Sequence, residues 1–192
     1  MPTPLGHSLA GIAVFLANRG RPGQRTALYA LGLVALANLP DIDFLPGYLF
    51  GAPRAYHWGP THSITAAVTV GCAVGAGARL AGTTFAPVFV LATLTYGSHI
   101  LMDMLLGIHN HPAVGLQVFW PFSLERHMLP WSLFLAAPRV PGRGPLGLLF
   151  SSAAFPLFAR EVLVMVPTVF AAWLLGRTRT AKTETSPLRA GS

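Results

Sequence analysis

FAPVFVLATLTYGSHILMDMLL, residues 85–106, is the stretch that decides the fold. It is apolar over the roughly 20 residues that a helix needs to cross hydrocarbon. Within it, GSHILMD (residues 97–103) places His99 and Asp103 four apart. On a helix that spacing stacks both side chains on one face. An imidazole and a carboxylate side by side suit zinc or another divalent ion. The same pair can instead share a hydrogen bond, and both readings stay open at this point.

Four further apolar runs flank this one: Leu5–Ala17, Ala27–Leu39, Ile64–Ala78 and Val162–Leu175. They are shorter than a full span, so tilt, bilayer thinning or partial insertion has to be considered for them. Hydrophobic residues make up 53% of the 192-residue chain and charged residues only 10%. Ordinary soluble domains carry about 25% charged residues. The expected fold is therefore all-α: a polytopic membrane helical bundle of about four to five apolar helices, with a metal site at one membrane face. Residues 1–176 are expected to form a single membrane-embedded domain. Residues 177–192 read as a polar, disordered tail. Short interfacial helices are expected around residues 128–137, in a Pro-rich stretch with Pro130, Pro138, Pro141 and Pro145. Arg160-Glu161 either begins the last helix or pairs at the interface. Gly71, Gly75 and Gly77 either allow close helix contact or reflect high small-residue content.

The net charge of +7 comes from basic residues beside apolar runs. Arg19, Arg21 and Arg25 follow the first run; Arg177, Arg179 and Lys182 follow the last. Such flanks are topology signals, and no groove-binding stripe accompanies them, so no nucleic-acid partner is expected. Counting Lys and Arg by alternating spans puts the dense clusters on the cytoplasmic side, with the N-terminus outside. Cys72 is alone, which excludes a disulfide framework and a thiolate metal cluster. The opening MPTPLGHSLAG has no positive segment, and no A-x-A pattern follows Leu9–Ala17, so this run reads as a retained helix.

Under that topology seven polar residues fall at one face: His7, Asp41, Asp43, His57, His62, His99 and Asp103. They comprise four of the seven histidines and three of the six acids. Charge beside an apolar run is costly unless paired or coordinated. In LPDID, residues 39–43, Pro40 ends an apolar helix and two carboxylates leave in a tight turn; acids there oppose the helix dipole. HWGPTHS, residues 57–63, leads into a helix, with Thr61 or His62 near the cap. Each motif also has a plain reading: Asp as turn residue, His57 as a surface histidine, His7 as an interfacial one. His109 and His111 read as accessory ligands or a polar loop, and Arg126, beside Glu125 and His127, as an anion contact or an interfacial anchor.

His7, Leu39-Pro40-Asp41-Ile42-Asp43, His57–Ser63, His99–Asp103 and Trp120-Pro121-Phe122, in that order, resemble the YdjM family. These are small inner-membrane proteins described as LexA-binding, membrane-associated metal-dependent hydrolases. The resemblance covers roughly residues 5–125. One departure is Trp58, where members commonly carry Arg. In ligand order the family is similar to zinc-dependent phospholipase C and the P1-type nucleases, all-helical enzymes with clustered zinc. Those also use an H-x-x-x-E pair, which is absent here, so one or two ions are expected rather than three.

The resulting expectation is a metal-dependent hydrolase in a bacterial inner membrane, active site outward. His7, Asp41, His62, His99 and Asp103 are the expected ligands of a divalent metal, zinc foremost. Asp43 and His57 are the expected catalytic pair, as base or orienting group. The expected partners are the bilayer and a phosphoester or lipid-linked substrate. Two alternatives stand beside it: an ion- or proton-coupled transporter, and a non-catalytic metal-binding membrane protein. A transport path would distribute polar groups through the membrane depth; here they gather at one end.

Overall fold

A computed structural model describes residues 2–18, 27–52, 56–106, 115–136, 147 and 150–185. His109, His111, Arg19, Arg21, Arg25, Pro138, Pro141 and Pro145 lie outside them. Among the described residues the chain is helical, without β-strands: α1 (Pro4–Ala17), α2 (Ala27–Asn38), α3 (Phe44–Leu49), α4 (Ile64–Leu80), α5 (Phe85–Met104) and α6 (Phe155–Thr185). Helix α1 packs between α2 and α6, α4 lies along α5, and α2 also touches α5.

Three stretches are long and apolar enough to cross a membrane: Ala27–Leu49, Phe85–Met104 and Ser152–Arg179. The sequence pointed clearly only to the second. The first is longer than its apolar run because Pro40 does not end the helical path. It sits near the start of a 3-10 turn, Leu39–Asp43, that leads directly into α3, a position where the missing N–H of proline costs nothing. The last is longer because the two charges near its start, Arg160 and Glu161, are satisfied in place. Arg160 donates from Nε to the Leu133 carbonyl at 2.9 Å. The Glu161 carboxylate accepts from the Thr3 backbone N–H, from the Thr3 hydroxyl at 2.6 Å and from the Gly6 N–H at 3.0 Å. Glu161 thus caps the first turn of α1, where free N–H groups and the helix dipole favour a carboxylate.

Helix α6 also runs past residue 176, where the polar tail was expected to start, and continues to Thr185. Arg177 lies 4.7 Å over the Trp173 ring, and Arg179 donates to the Ala17 carbonyl at the end of α1 at 2.9 Å. Residues 186–192 lie outside the described part.

The short helices expected around 128–137 are not formed over residues 128–136. That segment is extended and closes the C-terminal end of α5. The N–H of Leu129 donates to the Met104 carbonyl, and those of Leu133 and Phe134 to Leu105, all within 2.9–3.0 Å. Helix-end carbonyls need such donors, and an interfacial helix would have consumed these N–H groups internally.

The small residues of α4 divide by position. A Cβ on Gly71 would fall 2.0 Å from Thr93 Oγ1, and one on Gly75 3.0 Å from the Phe85 ring, so these two permit the close approach of α5; at Gly77 nothing lies within 4 Å. The tightest backbone contact is at Gly11, where a Cβ would lie 2.8 Å from both the Leu33 carbonyl oxygen and Val34 Cα. Gly11→Ala is expected to lower the unfolding temperature in detergent, through an overpacking cost of about 1–3 kcal/mol. Gly32→Ala, with open space around it, is expected to leave it unchanged or raise it, since alanine favours a helix interior by about 0.5–1 kcal/mol. A thermal melt of both variants checks the pair.

Candidate metal centre

The folded chain brings the seven residues together. Three overlapping groups each place one ligand atom per residue within 4.8 Å of the others: His7, Asp41 and His99; Asp41, His57 and His62; and His62, His99 and Asp103. Each comes from a different local device. His7 is in the first turns of α1, below the Thr3 cap and the Glu161 clamp. Asp41 and Asp43 project from the 3-10 turn after α2. His99 and Asp103 face inward from α5, with His99 Nε2 and Asp103 Oδ2 3.8 Å apart.

His62 precedes α4. The cap of that helix is Ser63, directly after His62: its hydroxyl accepts from the Ala66 N–H at 3.0 Å and donates to the Pro60 carbonyl at 2.7 Å. Thr61 is thereby free to donate to Asp43 Oδ2 at 2.9 Å, and Tyr96 secures the turn by donating to the Thr61 carbonyl at 2.7 Å.

The hydrogen bonds assign the imidazole tautomers. His99 Nδ1 is 2.8 Å from the Ala37 carbonyl. A carbonyl only accepts, so Nδ1 carries the proton and Nε2 presents its lone pair. His62 Nδ1 is 3.0 Å from Asp43 Oδ2, which makes the same assignment for His62. The two Nε2 atoms then face each other at 3.2 Å. Two lone pairs at that distance repel unless a proton or a cation lies between them. In the metal-free chain a proton serves: burial opposes charge on His62, but the Asp41 and Asp43 carboxylates outweigh it and raise its pKa to about 9. His57 shifts the other way. Burial lowers its pKa despite the bond from Nδ1 to Asp43 Oδ1 at 3.0 Å, so His57 is neutral at pH 7.

Several polar atoms of the cluster lack partners. Both His7 nitrogens, both Asp41 oxygens, His57 Nε2 and Asp103 Oδ1 are buried and make no hydrogen bond among the described residues; the same holds for Asn38 Oδ1, Thr93 Oγ1 and His127 Nε2. Buried polar atoms of native proteins are nearly always partnered. The orphans of the cluster, all nitrogen or carboxylate oxygen, fit a divalent ion. His7 stacks on His99 with ring centroids 3.6 Å apart, and its Nε2 lies 3.6 Å from Asp103 Oδ1.

Asp41 and Asp43 differ in surroundings. Asp41 approaches His57, His62 and His99 at 3.5–3.9 Å without a hydrogen bond. Asp43 is fully engaged, holding His57, Thr61, His62 and, at 3.2 Å, the Trp58 N–H. It has the position of a carboxylate that orients histidines from behind.

Trp58, Thr61 and Glu161 were not marked as site-shaping by the sequence. An isolated acid in the apolar path of α6 was the one available signal for Glu161. His127 lies elsewhere, its ring 5.1 Å from Phe119. Arg126 is exposed and donates to the Gly115 carbonyl at 2.8 Å.

The fold and site define an all-helical protein with apolar helices long enough to cross a membrane and a buried histidine–aspartate cluster whose groups could hold a metal ion. The chain belongs to the YdjM inner membrane protein family, which matches residues 1–180. No curated protein and no solved structure matches it, so the likeness in ligand order to zinc-dependent phospholipase C and the P1-type nucleases rests on the residues alone.

The contrast between the two acids is testable without metal. Asp43→Ala leaves several buried donors unpaired and is expected to destabilise the metal-free protein by about 1–3 kcal/mol. Hydrogen exchange at residues 57–62 should accelerate with it. Asp41→Ala removes no hydrogen bond and is expected to leave exchange at residues 57–62 close to wild type, its cost coming instead from lost support for a protonated His62. Equal acceleration of exchange in both variants would contradict the division of labour.

Proposed function

We propose that this protein is a membrane-embedded metal-dependent hydrolase acting on a phosphoester or lipid-linked substrate. The observation that carries the reading is the facing pair His62 Nε2 and His99 Nε2, 3.2 Å apart and surrounded by unpartnered carboxylate oxygens. His7, Asp41, His62, His99 and Asp103 would hold one or two divalent ions, with zinc suited to the nitrogen-rich donor set. A bound ion of this kind supplies Lewis acidity and lowers the pKa of water toward 7.

His57 and Asp43 would move the proton. His57 is neutral at pH 7, its Nε2 is buried and makes no hydrogen bond, and its Nδ1 is fixed by Asp43 at 3.0 Å. That is the geometry of a base held in one tautomer by a carboxylate. Phe44 stacks on the His57 ring at 4.0 Å and fixes its plane. Location supports a lipid-linked substrate: the Leu39–Asp43 turn lies within the apolar stretch Ala27–Leu49, which is long enough to cross a membrane. A transport path would need polar groups along the helices, whereas the seven residues occupy one end of the bundle.

Metal analysis of the purified protein tests the reading. His99→Ala and Asp103→Ala are expected to lose bound metal and phosphoesterase activity together, since each removes a ligand from the same face of α5. His57→Ala is expected to retain metal and lose activity by about 100-fold or more. Asp43→Asn should spare metal content more than turnover. Wild-type protein that binds metal yet hydrolyses no member of a phosphodiester, phosphomonoester and ester panel would favour a structural metal.

Metal uptake should also be proton-linked. His62 must give up the proton it holds with a pKa of about 9, so affinity should fall about tenfold per pH unit below that value for this one proton. Calorimetry in buffers of different ionisation enthalpy measures the release, and uptake without proton release contradicts the assignment.

The basic residues favour a cytoplasmic end opposite the site. Arg79 ends α4, and Arg177 and Arg179 lie on α6 where it meets the end of α1. The proposed orientation is a cytoplasmic C-terminus and an outward-facing site. A C-terminal fluorescent-protein fusion should be bright and an alkaline phosphatase fusion inactive; the opposite pattern reverses the orientation.

A further inference from the structure

We infer that Trp58 is a positioning residue for Asp103: its indole N–H holds one carboxylate oxygen and turns the other toward His7. This rests on the metal reading above. Trp58 Nε1 donates to Asp103 Oδ2 at 2.7 Å; Asp103 is fully buried, and the same oxygen lies 3.5 Å from His62 Nε2 and 3.8 Å from His99 Nε2. The other oxygen, Oδ1, makes no hydrogen bond and lies 3.6 Å from His7 Nε2. A carboxylate on a helix can rotate about its terminal torsion, which is broad. A donor fixed on one oxygen removes that freedom and sets which oxygen faces the His62–His99 pair and which faces His7.

Trp58 is itself held rigidly. Its φ is +66°, in the left-handed region that bulky residues rarely adopt. The conformation persists because both backbone groups are engaged: the N–H donates to Asp43 Oδ2 at 3.2 Å, and the carbonyl accepts from the Gln117 N–H at 3.2 Å. The ring packs against the cluster of Met102, Leu106 and Phe134 and against that of Ile100, Leu116 and Val118. One residue thereby connects Asp43, on the turn after α2, to Asp103, on α5. A tryptophan that only filled this space would leave its N–H without a task, whereas here the N–H meets the carboxylate at charge-assisted distance. Residues that orient metal ligands in this way typically set affinity by about 10- to 100-fold.

The test uses the full-length protein in detergent. Zinc affinity is measured by competition with a chromogenic chelator for wild type, Trp58→Phe, and a variant carrying benzothienylalanine at position 58, which keeps the bicyclic shape and replaces N–H with sulfur. Both variants are expected to bind zinc about 10- to 100-fold more weakly, with metal-free unfolding temperatures close to wild type. In ¹⁵N-labelled protein the Trp58 indole resonance, assigned by elimination with Trp120→Phe, Trp131→Phe and Trp173→Phe, is expected to move on zinc addition more than the other three. Affinity within twofold of wild type in both variants overturns the inference and leaves the metal reading intact. Should neither variant fold, the wild-type resonance decides: a zinc-induced shift no larger than those of the other indoles overturns it. Absence of zinc binding by the wild type removes the metal reading and this inference together.

Discussion

The need to compensate charge inside an apolar bundle organises this protein. Three carboxylates and four imidazoles converge where apolar helices meet. Desolvating such groups singly is costly; gathered together, each carboxylate reduces the cost of a neighbouring imidazolium. The pKa of His62, raised by Asp41 and Asp43 against the effect of burial, is consistent with that mutual support. It also shows why the cluster suits a cation, since a divalent ion would take the place of the proton and meet the orphaned oxygens that one proton cannot reach.

Around this centre, the scaffold's own polar groups are used to fix ligand direction. The Ala37 carbonyl, left free by the change from α2 to the 3-10 turn, sets the His99 tautomer. Asp43 sets those of His57 and His62. Glu161 holds the start of α1, and with it His7, against α6. The extended segment over residues 129–134 closes the end of α5 one turn beyond Asp103. The bonds to Ala37, to the start of α1 and to the end of α5 each satisfy a helix terminus, so the interactions that stabilise the fold also orient the clustered side chains.

The division between Asp41 and Asp43 gives the centre its functional character. Two acids separated by one residue in a 3-10 turn both approach His57 and His62 but differ in hydrogen bonding. One is saturated with hydrogen bonds, the other has none. Proteins retain unpaired buried polar atoms where function requires them, at a cost in stability.

The sequence by itself determined the helical class, the approximate position of five apolar segments and the residues of the cluster. Those features are local: hydropathy over a run, i, i+4 spacing in HILMD, and the scarcity of acids in an apolar chain. It under-reported the extent of α6 and of the Ala27–Leu49 path, because Arg160, Glu161 and Pro40 look like breaks until their distant partners are known. It also suggested interfacial helices where residues 128–136 instead donate to α5. Only the tertiary structure separated Asp41 from Asp43, named Ser63 as the cap, and brought Trp58 to Asp103 across 45 positions of chain. Those outcomes depend on which donor meets which acceptor in three dimensions, and hydrogen-bond direction over long separations leaves no periodic mark in a sequence.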